Sequence, residues 1–379
     1  MDEREFVSLN DSGDRKLIVG QKEDGQRIYQ VSSVAMSMAS PVWKAMFNPT
    51  SGFQESNPDA PVEFPEDDPD ALLILLRIAH LQFHEIPKSI SFAWLTELAI
   101  LCDKYDSVGL LQPFIEQWIS PWTLLCLEPG YEAWLFIAWS FGCEQIFNLL
   151  AASLVLSIEL DGDGRILNSG NELLVDHMPP GSIGKSILYF EPFKGNELCK
   201  SVKAANAYCN LEGILKAREE TITKFLDLFQ DTIESLIKLT FCASNSSNPP
   251  WSRGHIYNGI DHVSCNITNL GLFISALYPL GLGSQKISAT EIKFCISQIV
   301  QELNKAQYTL QMGGYPTSCN LAKKLQPKVK EILDGIPLVL NENYKRHMEE
   351  QAKKSDIRNP KVPKAKEEGI VIKEECIVM

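Results

Sequence analysis

The sequence predicts an α+β fold, a small β-sheet with a cluster of helices, followed by an all-helical C-terminal domain. Three observations predict it. Two short apolar segments near the start flank an Asp-Gly turn. Most of the remainder places apolar residues at 3–4 spacing, the period of a helix with a buried face. The length, 379 residues, suits two domains of the usual size, roughly 100–200 residues each, plus a tail.

Taken in order, Leu17-Ile18-Val19-Gly20 is a short strand ended by glycine. Gln26 to Val31 alternates around Ile28, and Lys22-Glu23-Asp24-Gly25 supplies the turn of a hairpin, because Asp-Gly tolerates positive φ. Ser33–Met38 and Ser40–Phe47 read as two short helices, the second with Ser40 as N-cap and Pro41 at its first position. Val62–Phe64 is a brief strand. Asp68 caps a helix from Pro69 to about Leu81 whose residues Leu72 to Leu76 and Ile78 are apolar nearly all round, so it is buried on more than one side. Phe92–Tyr105 is the next helix, and Ser107 opens another through Val108, Leu111, Ile115 and Trp118.

Residues 120–160 continue as tryptophan-rich helices, and 161–184 are turn-rich. A long helix spans about Lys203–Lys238. Leu270–Leu280 is a further helix, Ser288–Glu291 is a capping box opening one that reaches Leu303, and Leu321–Leu333 is the last. The expected boundaries are a flexible N terminus over 1–13, a mixed domain over 14–119, a helical domain over 120–347 and a disordered charged tail over 348–379.

Charge narrows the function. Residues 1–119 hold nine Lys/Arg against 19 Asp/Glu, and an acidic surface repels phosphate, so direct nucleic-acid binding is not expected. The polar first residues lack the apolar core of a secretory signal, and no stretch reaches the roughly 18 uninterrupted apolar residues of a spanning helix. The ten cysteines are scattered without close pairs. The expectation is an intracellular protein of cytoplasm or nucleus.

Several segments resemble one family. Asp14, Leu17, Val19 and Gly20 look like the opening strand of a BTB/POZ domain. Val31-Ser32-Ser33 with Met36, Ser37, Ala39-Ser40-Pro41-Val42-Trp43 and Met46 is similar to its next segment, and Phe64-Pro65-Glu66-Asp67-Asp68-Pro69 to the acidic turn before its third helix. Leu98–Leu101, Asp103-Lys104-Tyr105-Asp106, Leu111, Pro113 and Trp118 complete the likeness. Residues 14–119 thus resemble the BTB/POZ domain of filamentous-fungal proteins. Ser32 stands where animal members often carry histidine. The resemblance implies a non-catalytic interaction protein that forms homodimers through its first helices and strand. It also implies two alternatives, a substrate adaptor for a cullin ubiquitin ligase and an indirect transcriptional regulator. Phe83-His84-Glu85 fits the loose pattern of cullin-binding members, which makes Phe83 and Glu85 contact candidates.

Asp161-Gly162-Asp163-Gly164 has a calcium-loop look, but the matching register puts Glu159 first and Gly170 where a bidentate Glu is needed, so a solvated turn is expected. Of Cys242, His255, His262, Cys265 and Cys319, only His262 and Cys265 have the close spacing of paired zinc ligands, so core cysteines and loop histidines are expected instead. No metal, cofactor or catalytic residue is expected, because no phosphate loop, G-x-S-x-G or H-E-x-x-H is present. The last four residues, Cys376-Ile377-Val378-Met379, form a C-a-a-X box fitting farnesylation of Cys376, which by itself gives weak, reversible membrane association.

Overall fold

The computed structural model describes residues 5–22, 25–50, 54–57, 60–174, 205–238, 262–282, 287–312, 321–337, 339–340 and 342–357. The predicted hairpin is present: β2 (Arg15–Val19) and β3 (Arg27–Val31) run antiparallel with Leu17 opposite Tyr29. Leu17, Val19, Tyr29 and Val31 point into the core, and Lys16, Ile18, Ile28 and Gln30 alternate to the other face.

Two further strands complete the sheet. β1 (Glu5–Ser8) joins β3 in parallel and β4 (Val62–Phe64) joins β2 in parallel, giving the order β1-β3-β2-β4. The N terminus expected to be flexible over 1–13 is therefore ordered from Glu5, with Val7 packed on the core and Leu9 buried in it. The two edges of the hairpin are covered by the chain's own β1 and β4.

Helices surround the sheet. α1 (Ser33–Ala39) and α2 (Pro41–Met46) are capped by the hydroxyls of Ser32 and Ser40. Ser40 Oγ accepts from Trp43 N–H and donates to the Tyr105 carbonyl, tying α2 to the end of α4 (Phe92–Tyr105). α3 (Pro69–Ala79) starts where Asp68 Oδ1 accepts from Ala71 N–H at 2.8 Å, and its Leu72, Ile74, Leu75, Leu76 and Ile78 are all buried. Beyond Ser107 the expected single helix is two pieces, a 3-10 turn at Val108–Leu111 and α5 (Ile115–Ile119), with no side-chain cap from Ser107. Pro113 has no N–H for the carbonyl of Gly109, so a continuous helix would lose that bond.

The rest comprises α6 (Trp134–Phe141), α7 (Glu144–Ser157), α8 (Ala205–Ile237), α9 (His262–Leu277), α10 (Ile296–Met312), α11 (Leu321–Asp334) and α12 (Glu342–Ser355). It is not all helical: β5 (Glu159–Leu160) and β6 (Ile166–Leu167) form a small antiparallel hairpin around the Asp161 turn. Ser288 caps only a 3-10 turn at Ala289–Glu291, and α10 starts later, at Ile296. Buried Arg218 of α8 holds that intervening segment, donating to the carbonyls of Ile292 and Phe294 at 3.0 and 2.8 Å.

Two expected boundaries do not coincide with breaks in the packing. The Phe92 ring lies 5.9, 4.9 and 6.0 Å from those of Trp122, Tyr131 and Trp134, so one core runs through residue 119. The tail expected to be disordered from 348 is helical through Ser355: α12 packs on α6, with Met348 and Ser355 buried. No described helix is long and apolar enough to cross a membrane.

Candidate functional site

α1 is amphipathic in miniature. Met36 is buried beneath it, while Val34 and Met38, one turn apart, are 66% and 85% exposed. Nearby in sequence, the outer face of the sheet carries an apolar row. Phe6 of β1 pairs with Ile28 of β3, and Ile28 with Ile18 of β2. Phe6 is more than half exposed and the two isoleucines partly so. Ile18 also pairs with exposed Glu63, which ends the row at β4. β1 is the sheet's outer strand, so one side of its backbone has no strand partner among the described residues. Arg27 anchors it by an ion pair with Glu5 at 2.9 Å and a second with Asp70.

Phe83 and Glu85, the cullin-contact candidates, share a 3-10 turn directly after α3. Phe83 is half exposed, its ring 6.2 Å from that of Phe114. Glu85 lies 3.5 Å from Arg77 of α3. Leu81 precedes them in the left-handed region, φ 61°, and is largely exposed. It occupies the position after a helix where glycine is usual: its N–H bonds the Ile78 carbonyl and Gln82 N–H the Arg77 carbonyl. An exposed leucine held in that conformation is a feature the sequence reading missed, as it missed Val34 and Met38. The signal for the latter pair was their i, i+4 spacing on the side opposite Met36.

An acidic cleft lies at the other end of the sheet. Asp67 is buried and accepts from Lys104 Nζ and Tyr105 O–H, so its charge is compensated. Glu97 lines the same cleft with Glu66, Asp68 and Asp70. Burial, then the charges of Asp68 and Asp67, push its carboxyl up to about 7.

Asp161 Oδ1 accepts from the N–H groups of Asp163 and Arg165, and its Oδ2 from Arg165 Nε at 2.6 Å, so its carboxylate is engaged within its own turn. Among the described residues no group of three His, Cys, Asp or Glu could hold a metal. Cys242, His255, Cys319 and Cys376 lie outside the described residues, and His262 and Cys265 open α9. Burial raises the thiols of Cys102 and Cys143 to about 12, which leaves neither as a thiolate at neutral pH. Comparison of the chain with family models, with curated proteins and with solved structures found no match.

Proposed function

We propose that residues 14–119 are a BTB/POZ-type module and that the protein acts without catalysis, by associating with itself and assembling partners. The observation that carries this reading is the uncovered apolar face of α1, Val34 and Met38, on the helix through which the resembled family pairs. A second copy of the same face is its simplest cover, because a two-fold interface needs only one self-complementary patch. The outer strand β1 and Phe6 offer a second contact of the same kind.

Light scattering of the full chain at micromolar concentration should give twice the 42.5 kDa of one chain. Met38→Glu combined with Val34→Glu should return it to one chain's mass with an unchanged melting temperature, since neither side chain supports the core. A single-chain mass for the unaltered protein across that range removes the dimer.

The adaptor reading rests on a separate observation, the exposed Leu81-Gln82-Phe83 turn beside Glu85. Co-purification of a cullin with the unaltered chain but not with Phe83→Ala supports it, and no cullin in either sample sinks it.

A further inference from the structure

α1 is seven residues long, too short to stand as a helix by itself, so its position depends on ties from elsewhere in the chain. Two side chains hold its first turn. Asp14 accepts from Ser33 N–H at 2.8 Å and from the Ser33 hydroxyl at 2.6 Å. His80, directly after α3, accepts the N–H of Ser32, the N-cap residue, on Nε2 at 2.9 Å. Its other ring nitrogen, Nδ1, lies 2.7 Å from the Leu76 carbonyl, which also accepts the His80 backbone N–H at 3.0 Å.

These partners fix the hydrogen on the ring. A backbone N–H can only donate and a carbonyl can only accept, so Nε2 is the bare acceptor and Nδ1 carries the hydrogen. The neutral ring satisfies both. A second proton has to go on Nε2, where it meets the Ser32 N–H donor to donor. The tie between α3 and α1 is then lost, and Ser32 N–H is left without its acceptor.

The surrounding charges do not offset this. α1 and the 108–111 turn carry no ionisable side chain. On α4, Glu97 and Lys104 face Asp68 and Asp67 at the start of α3, and Asp103 lines a cavity against α2 and α12. On α3 itself Asp70 pairs with Arg27 and Arg77 with Glu85, which His84 also approaches. Beside α1, both oxygens of Asp14 are taken by Ser33, and neighbouring Arg15 donates to the carbonyls of Ser56 and Asn57. Burial lowers the His80 pKa from its ordinary 6.5, against the pull of the Leu76 carbonyl.

We propose that His80 is an acid-sensitive clasp on α1: proton uptake at Nε2 breaks the bond to Ser32 and loosens the first turn of the helix. The fold holds the ring neutral, so the tie is complete above pH 6.5 and is lost as pH falls through the lowered folded value. Because α1 carries Val34 and Met38, the clasp also regulates pairing, a consequence that rests on the self-association reading above.

The test uses the full chain. Nitrogen-15 NMR of its histidines should show the Nδ1–H tautomer for His80 and a titration midpoint below 6.5. Amide protection over residues 32–39, corrected for the pH dependence of exchange itself, should fall by up to about tenfold from pH 7.5 to 5.5, the ratio of charged to neutral imidazole one unit below its ordinary value. Burial raises the Asp14 carboxyl, but the Ser33 hydrogen bonds outweigh it and hold the group below 3.8, so it stays ionised throughout this range. His80→Gln offers an amide oxygen to Ser32 N–H and does not titrate, so its protection over 32–39 should be the same at both pH values. Hydrogen on Nε2 at neutral pH, a midpoint at or above 6.5, or an equal fall in His80→Gln overturns the proposal. Light scattering separates the clasp from its consequence. A dimer lost at pH 5.5 in the unaltered chain and kept in His80→Gln supports both, whereas one chain's mass at every pH removes the pairing and leaves the NMR and exchange results to decide the clasp.

Discussion

Glu97 is one residue through which pH enters the stability of the fold. Its carboxyl is held up to about 7, from an ordinary 4.5, by burial and by Asp68 and Asp67 beside it. The folded chain therefore favours the protonated form. Its contribution is fully present below pH 4.5 and is lost as pH rises to about 7. Glu97→Gln, neutral at every pH, should raise the melting temperature at pH 8 and leave it nearly unchanged at pH 4.5. Thermal melts at the two values check this. An equal shift at both would mean that the ionised carboxylate is not penalised. Asp67, beside it, is paired with Lys104 Nζ and the Tyr105 hydroxyl.

At the scale of elements, α12 is the least obvious piece and the most constrained. Gly142 ends α6 in the left-handed region at φ 77°, and a Cβ there would lie 2.3 Å from Ala352 N and 2.4 Å from the Met348 carbonyl. Ser355 Oγ donates to the Phe141 carbonyl at 2.9 Å on the same contact. Gly142→Ala should therefore unseat α12. The backbone conformation alone costs about 1 kcal/mol, and the clash with main-chain atoms adds to it. Hydrogen exchange across 342–355 should accelerate sharply. Unchanged protection there would mean that α12 is held from elsewhere. This helix also shows where the sequence stops being legible. The β2–β3 hairpin, the serine caps of α1 and α2, and Asp68-Pro69 before α3 are local signals, and all appear where local chemistry puts them. β1 has a single inward residue, Val7, ahead of Leu9, and its partner strand lies some twenty residues on, so its short run gives no periodic signal. Half of the residues of α12 are charged, and from Met348 on it reads as a tail. Its seat depends on a bare glycine two hundred residues earlier. The apolar face of α1 could have been read from Val34 and Met38.

For the whole molecule, the continuous core decides what can be cut. A fragment of residues 1–119 would expose the side of Phe92 that meets Trp122, Tyr131 and Trp134, and the face of the 108–111 turn that meets α12. Such a fragment should aggregate or melt without cooperativity, while the full chain melts cooperatively. Circular dichroism melts of both check this, and a sharp transition in the fragment would make residue 119 a true boundary. The seating of α12 has a consequence for how the protein is made. Ribosomes deliver roughly 5–20 residues per second, so α12 follows the sheet and its first helices by roughly 10–50 s. Throughout that interval α6 and the 108–111 turn wait for a partner still being translated. The nascent chain carries a temporary sticky surface, and its yield in a cell should depend on the chaperones that shield it until the final turn of α12 clears the exit tunnel.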